Sequence, residues 1–316
     1  MRYRALGDSG LVVSVVGLGC NNFGRKLDLA ATRLVIDAAM ESGITLLDTA
    51  DAYGDPRGTS EEVMGEVLQG RREQFVLATK FGLDVNGANG PDYGARGSRR
   101  YIRQAVEASL RRLRTDYIDL YQLHVPDPLT PMEETVEAMD SLVREGKVRY
   151  LGHSNLTGWQ IADAHWIAST SGAVPFISAQ NHYSLMERDA EAEVIPACER
   201  FGLGLLPYFP LARGLLTGKY SRSAPAPQGA KLAAEPDYIT DAKLARVAAL
   251  EALADGWGVS VLDIAMGGLA AQPAVASVIA GATSAAQVQA NAAAGLWEPT
   301  VEQLVEIDAA APGPAR

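Results

Sequence analysis

Residues 44–53 read Ile44-Thr45-Leu46-Leu47-Asp48-Thr49-Ala50-Asp51-Ala52-Tyr53. A short apolar, strand-like run ends on an aspartate, and a tyrosine follows five residues later. Two other runs end in the same manner. Lys80 closes FVLATK at 75–80, and His124 closes YIDLYQLH at 117–124. In a barrel of parallel strands the C-terminal strand ends converge on one mouth, which is where such barrels do chemistry. Asp48, Tyr53, Lys80 and His124 are therefore expected to meet.

Outward from these runs, short β-type segments alternate with amphipathic helical stretches. The strands are expected at 15–19, 45–48, 75–80, 117–124, 148–153, 176–180, 204–208 and 275–280. Helical patterns fall between them at 30–42, 60–69, 98–113, 132–145 and 190–201. Alternation of this kind predicts parallel β-α units, and eight of them would close a (β/α)8 TIM barrel. An open doubly wound sheet competes, but no Gly-X-Gly-X-X-Gly turn opens a helix after the first strand. Thr130-Pro131 with Glu133 reads as a cap, a proline at the first helical position and an acidic first turn. Gly43, Gly146 and Gly202 read as helix-ending glycines. Residues 3–13, turning at Asp8-Ser9-Gly10, predict a β-hairpin placed to plug the barrel bottom. Two long connections, 82–97 and 214–237, follow strand ends and are expected over the mouth, since loops of that length are usually functional or disordered.

The chain has 316 residues, 47% hydrophobic and 21% charged, as in ordinary globular enzymes. That length suits one barrel domain spanning 1–316. The net charge of −10 argues against nucleic acid and against an anionic membrane surface as partners. Two cysteines, Cys20 and Cys198, make no disulfide framework. With no signal-like N-terminus and no run long enough to span a bilayer, cytoplasm is the default location.

The four strand-end residues can form one proton relay. A tyrosine hydroxyl ionises near pH 10, and a neighbouring ammonium stabilises the phenolate. A carboxylate keeps the lysine charged and oriented, and a histidine can orient a carbonyl. Placed proton transfer of this kind gives about 10²–10⁴ in rate. Each residue also has a plainer reading: Asp48 as a turn residue, Tyr53 as packing, Lys80 as a solvated charge, His124 as a structural donor. Three separate β-α units ending alike favour the relay.

At these residues the chain resembles the aldo-keto reductase family over nearly all its length. The resemblance is carried by GLGCNNFG, LLDTADAYGDP, SEEVMGEVLQGRR, LATKFG, SLRRLRTDYIDLYQLHVPDP, SLVREGKVRYLGHSN, AQNHYSL, GLLPYFPLARGLLTGKY and AGATSAAQVQAN. It points to the branch of bacterial reductases and potassium-channel β-subunits. The resemblance implies a barrel that binds NADP(H), with NAD(H) as the alternative, and reduces aldehydes or ketones. It gives Asp48, Tyr53, Lys80 and His124 as the catalytic tetrad. It places Ser154, Asn155 and Gln180 on the nicotinamide carboxamide and Tyr208 against the ring. Leu211 and Lys219 fall to the pyrophosphate, Gly281, Thr283, Gln287 and Asn291 to the adenosine end, and Cys20 and Asn21 beside the nicotinamide ribose.

One departure stands out. Many relatives carry a basic residue at the start of the 281–284 segment for the 2′-phosphate, whereas this chain has Gly-Ala-Thr-Ser there. Arg222 or Lys231 could supply the charge, or remain ordinary loop cations. Among the other histidines, His153 is expected in packing or the pocket wall, His182 as a structural donor and His165 at the surface or in packing. None has metal-ligand spacing, and no metal is expected. Trp159 and Trp166, seven apart, are expected in helix packing. A non-catalytic cofactor-binding regulatory subunit and an NAD-dependent dehydrogenase of sugars or alcohols are the alternative functions.

Overall fold

The computed structural model describes residues 1–218 and 236–314. Lys219, Arg222, Lys231 and most of the 214–237 connection lie outside the described residues.

The chain opens with an antiparallel hairpin, β1 (Tyr3–Ala5) and β2 (Val12–Ser14). Eight parallel strands follow: β3 (Val16–Gly19), β4 (Leu46–Asp48), β5 (Val76–Phe81), β6 (Ile118–Leu123), β7 (Val148–Ser154), β8 (Phe176–Gln180), β9 (Gly204–Leu205) and β10 (Val278–Gly281). Each pairs with the next, and β10 returns to pair with β3. Parallel bridges Leu205–Val275 and Tyr208–Ile279 close the ring. The expected strand 204–208 is laddered only at its start. Pro207 has no N–H to give, and its carbonyl instead accepts from Ile279 N at 3.0 Å.

Ten α-helices accompany the strands among the described residues. They are α1 (Leu29–Glu41), α2 (Thr59–Val67), α3 (Arg99–Leu113), α4 (Met132–Arg144), α5 (Gly158–Ser171), α6 (Val194–Phe201), α7 (Asp241–Trp257), α8 (Val261–Ala270), α9 (Ala285–Ala294) and α10 (Val301–Ala310). None of the described helices is long and apolar enough to cross a membrane. Two boundaries differ from expectation. The helical pattern at 190–201 becomes continuous α-helix only from Val194, because Pro196 is tolerated only in a first turn. Thr130 does not cap α4. Its hydroxyl donates to Asp127 Oδ2 at 2.7 Å, and Pro131 takes the cap position. Gly43, Gly146 and Gly202 all adopt positive φ after helices, as expected.

Inward-facing positions alternate along each strand. Leu46, Ala78, Leu120, Leu206, Ala276 and Ile279 fill the lower barrel together with Leu6 and Val13 of the hairpin. The hairpin is thus the barrel floor. Ser14 and Thr45 exchange two bonds, each backbone N–H donating to the other's hydroxyl at 2.9 Å. Gly7 turns at φ 60°, and a Cβ there would lie 2.4 Å from Gly202 O, so only glycine lets the hairpin seat this closely. The opposite strand faces, among them Leu47, Leu77, Tyr121, Leu123 and Leu151, join the core between barrel and helices.

Trp159 does not pack as expected and is 66% exposed on the outer face of α5, whereas Trp166, 56% exposed, meets the Phe201 ring of α6 edge-on at 6.4 Å. The helix buries Ile161, Ala164 and Ala168 instead, and a seven-residue spacing repeats whichever face it starts on.

Leu6 is fully buried in the barrel floor. Leu6→Ala is expected to lower unfolding free energy by about 2–5 kcal/mol through cavity formation, measured by urea denaturation. A loss below about 1 kcal/mol would mean that the hairpin is not part of the packed core.

Candidate active site

The next inward positions above the apolar floor are polar. Asp48 stands two residues above Leu46, Lys80 two above Ala78, and Gln122 two above Leu120, with His124 beyond. Sheet register sets Lys80 opposite Gln122 and Ser154 opposite Gln180. The strand period that packs the floor therefore delivers a polar layer at the mouth.

Lys80 Nζ donates to Asp48 Oδ2 at 2.6 Å, to the Thr49 carbonyl at 2.9 Å and to the Tyr53 hydroxyl at 3.4 Å. Lys80 is 0% and Asp48 2% exposed. The other Asp48 oxygen accepts from Gln122 Nε2 at 3.1 Å and Gln180 Nε2 at 3.0 Å. The His124 ring meets the Tyr53 ring edge-on, centroids 5.8 Å apart. All four expected residues come together.

Burial works against the Lys80 ammonium, but the Asp48 carboxylate and Tyr53 outweigh it and raise its pKa. Burial pushes the Tyr53 hydroxyl up, while Lys80 opposes; the net direction is upward. This corrects the expectation that the lysine would bring the tyrosine below its ordinary value. Desolvation of a phenolate outweighs a single ammonium already shared with Asp48. Burial, followed by Lys80, holds the His124 imidazole well below its usual range. His124 is therefore neutral near pH 7, and among the described residues its buried Nδ1 has no hydrogen-bond partner.

Beyond the tetrad, Ser154, Asn155 and Gln180 also converge. Ser154 Oγ donates to Gln180 O at 2.7 Å and accepts from Asn155 Nδ2 at 3.0 Å. Asn155 holds φ at 61°, a left-handed conformation that asparagine adopts more readily than most residues. Its Nδ2 also reaches His124 O at 3.0 Å, and its Oδ1 accepts from Tyr208 OH at 2.8 Å. Tyr208 stacks on His182, centroids 5.3 Å apart and nearly coplanar in tilt at 9°. His182 thus serves as a stacking partner, and among the described residues its buried Nε2 has no hydrogen bond. His153 is buried with both ring nitrogens unpaired among the described residues, its pKa pushed down by burial to about 3. His165 packs against Phe201.

The remaining expected cofactor residues are spread along the rim. Cys20 is wholly buried, its thiol 3.4 Å from Leu18 O and its backbone N–H on Asp48 O. Burial, then Asp48, raises its pKa well above the ordinary range. Asn21 lies beside Gly281, its Oδ1 3.7 Å from where a Cβ would stand. At the start of α9, Ser284 caps Gln287 N. Gln287 Oε1 accepts from Thr283 N at 2.7 Å. Asn291 is buried on the same helix, and Leu211 is half-buried at the end of the 206–211 segment. Asn22 Nδ2 bridges to Ala282 O at 3.3 Å.

These groups fit a nicotinamide dinucleotide. Hydroxyl and amide groups suited to a carboxamide sit next to the tetrad. Asn181 Oδ1, beside Gln180, is buried without a partner among the described residues. A helix N-terminus suited to phosphate begins at the rim. Gln122 was missed in the sequence. Its signal was an amide two residues after Leu120, on the inward face of a wholly buried strand.

The family model for the aldo/keto reductase family matches residues 15–312. A "Probable voltage-gated potassium channel subunit beta" of Arabidopsis thaliana is 36% identical, covering 92% of this chain and 90% of the relative. "L-glyceraldehyde 3-phosphate reductase" of Escherichia coli K12 is 33% identical, covering 92% and 86%. "Versiconal hemiacetal acetate reductase" of Aspergillus parasiticus is 40% identical over 68% of this chain and 69% of its own length. With a match of that length on a barrel of this topology, the chain belongs to the aldo/keto reductase family.

Proposed function

We propose that this chain is an NADP(H)-dependent reductase of aldehyde or ketone carbonyls, with Tyr53 as general acid. The observation that carries the reading is Lys80 Nζ placed 2.6 Å from Asp48 and 3.4 Å from the Tyr53 hydroxyl, with His124 alongside at the barrel mouth. The coarser statement, an oxidoreductase of a family that generally uses nicotinamide cofactors, stands on the family match.

When bound, the reduced nicotinamide supplies the hydride. The protein's own groups supply the rest. Tyr53, protonated throughout the neutral range, gives its proton to the carbonyl oxygen. Lys80 lies beside the hydroxyl and stabilises the phenolate that forms. Asp48, pinned by Gln122 and Gln180, keeps the ammonium aimed. Neutral His124 can donate one hydrogen bond to the same oxygen without competing for the proton. Ser154, Asn155 and Gln180 would hold the carboxamide, and Tyr208 would cover one ring face. Gly281, Thr283, Gln287 and Asn291 would receive the adenosine end. The 281–284 segment carries no cation, so a 2′-phosphate needs charge from elsewhere. Arg222 and Lys231 are the candidates.

Tyr53→Phe is expected to lower kcat/KM by at least about 10² while NADPH still titrates the protein's fluorescence. Full turnover by this variant rules the acid role out.

Lys80→Met and Asp48→Asn should each slow reduction, and the double variant should cost far less than the product of the two, because the pair acts as one unit. Independent, multiplicative losses in kcat would argue against that coupling.

NADPH is expected to bind more tightly than NADH, and Arg222→Ala or Lys231→Ala to weaken NADPH alone. Fluorescence titration with both cofactors decides. Tighter binding of NADH overturns the cofactor assignment.

A further inference from the structure

Two residues before Tyr53, Asp51 is fully buried in a polar cluster that the proton relay leaves unused. Five parts of the chain meet there. The turn after β4 brings Asp51, whose backbone N–H donates to Lys80 O at 3.1 Å. The 82–97 connection brings Asn89, whose Nδ2 donates to Asp51 Oδ2 at 2.6 Å and to Tyr101 OH at 3.2 Å. Helix α2 brings Glu61. Helix α3 brings Tyr101 and Arg112. Strand β6 brings Tyr121, whose buried hydroxyl has no partner.

The donors are shared unequally. Glu61 accepts from Arg112 Nε at 2.7 Å and from Thr79 Oγ1 at 2.6 Å. Arg112 also reaches Asn89 Oδ1 at 2.9 Å and Ala88 O at 3.5 Å. Asp51 is left with the Asn89 side-chain amide and the backbone N–H of Ala52, and among the described residues its Oδ1 has no hydrogen-bond partner. A buried carboxylate without a cation of its own takes up a proton instead of holding charge. Burial first, then the Glu61 charge, lift Asp51 to about 8, against the pull of Asn89, Arg112 and the Ala52 amide. Tyr101, at about 12, and Tyr121 stay neutral, both pushed up first by burial and next by Asp51.

We propose that Asp51 is a positioning residue for Tyr53: through Asn89 it latches the 82–97 connection onto the turn that carries the tyrosine, and loss of its carboxyl proton unfastens the latch. Ionised, Asp51 accepts more strongly from Asn89, but that bond is outweighed by burial and by the Glu61 charge, and Oδ1 stays unsatisfied. Relief requires water, and the side it can enter from is the loop side, by lifting Asn89. Asp51 and Tyr53 share one short turn, in which Tyr53 N donates to Ala50 O at 3.1 Å. The hydroxyl's contact with Lys80 is already long, so a small shift of the turn removes it. The inference rests on Tyr53 being the acid of the reaction.

The sign of the stability effect follows from the same accounting. An unfolded aspartate ionises near pH 4 and folded Asp51 near about 8, so the folded chain holds the extra proton across that window. This group's contribution to stability is full below about pH 4 and is lost as pH rises through about 8.

Asp51→Asn keeps the shape and removes the charge. With the wild type, kcat/KM for carbonyl reduction is expected to fall about tenfold per pH unit above about pH 8, with kcat carrying the loss and cofactor binding unchanged. Asp51→Asn should lack this limb and should lack the fall in melting temperature between about pH 5 and 8. Amide hydrogen exchange of residues 49–53 and 82–97, corrected for intrinsic rates, should quicken over the same range in the wild type alone. Asn89→Ala should show the quickened exchange already at low pH, a test that survives if the first variant does not fold. A limb near pH 8 that persists in Asp51→Asn, or exchange that ignores the pH, overturns the proposal. Should the wild type reduce no carbonyl, the reductase reading fails by itself, and the exchange comparison still decides the latch.

Discussion

A buried lysine is tolerable only with an anion against it, and here that anion is Asp48, 2.6 Å away inside the barrel. Taking both charges out of water costs several kcal/mol per ion, and the attraction repays this only with good geometry and further hydrogen bonds. The barrel provides them. Thr49 O takes a second lysine proton, and the Gln122 and Gln180 amides satisfy the other aspartate oxygen. The two ions and these partners come from four strands or strand ends, β4, β5, β6 and β8, so the pair depends on register all round. A one-residue slip of any strand would turn its polar residue out of the barrel and an outer one in. The apolar floor below, with the hairpin's Leu6 and Val13 locked into it, is what holds register.

Burial also decides which chemistry the tyrosine can do. A phenol lowered far below its ordinary value would be partly ionised near neutrality, and only its protonated fraction could donate. In the proposed reduction burial keeps Tyr53 protonated, and the lysine's contribution falls on the phenolate left by proton transfer. Protein groups preorganised for the charge that develops, and not for the resting state, are the efficient arrangement. Neutral His124 fits the same division of labour, because an imidazolium there would repel Lys80.

The eight strands and the meeting of Asp48, Tyr53, Lys80 and His124 were legible because both rest on local pattern. Runs such as LLD, VLATK and IDLYQL carry their own alternation, and each ends at the barrel mouth. The ends of β9 and α6 were less legible because proline acts on the hydrogen-bond ladder and not on hydrophobicity. Pro207 cut one strand short, and Pro196 fixed where one helix could start. Trp159 misled because spacing reports a shared face without saying which face is buried. Gln122 and the Asp51–Asn89 contact were invisible for another reason. They pair residues 74 and 38 positions apart from their partners, and no local rule specifies which distant amide will meet which carboxylate.

Asp48 and Asp51 share one turn and show what decides a carboxylate's role. Both are buried, and both sit on the same short stretch of LLDTAD. Asp48 points into the barrel, where it meets an ammonium and two amides. Asp51 points outward toward the helices, where the nearest cation is engaged by Glu61. The three-residue offset is enough to send the two side chains to different neighbourhoods, because the strand ends at Asp48 and the turn that follows no longer alternates. One carboxylate is thereby held against a buried ammonium, while burial and Glu61 raise the other to about 8. A fold that separates two chemically identical groups in this way can tune each without disturbing its neighbour.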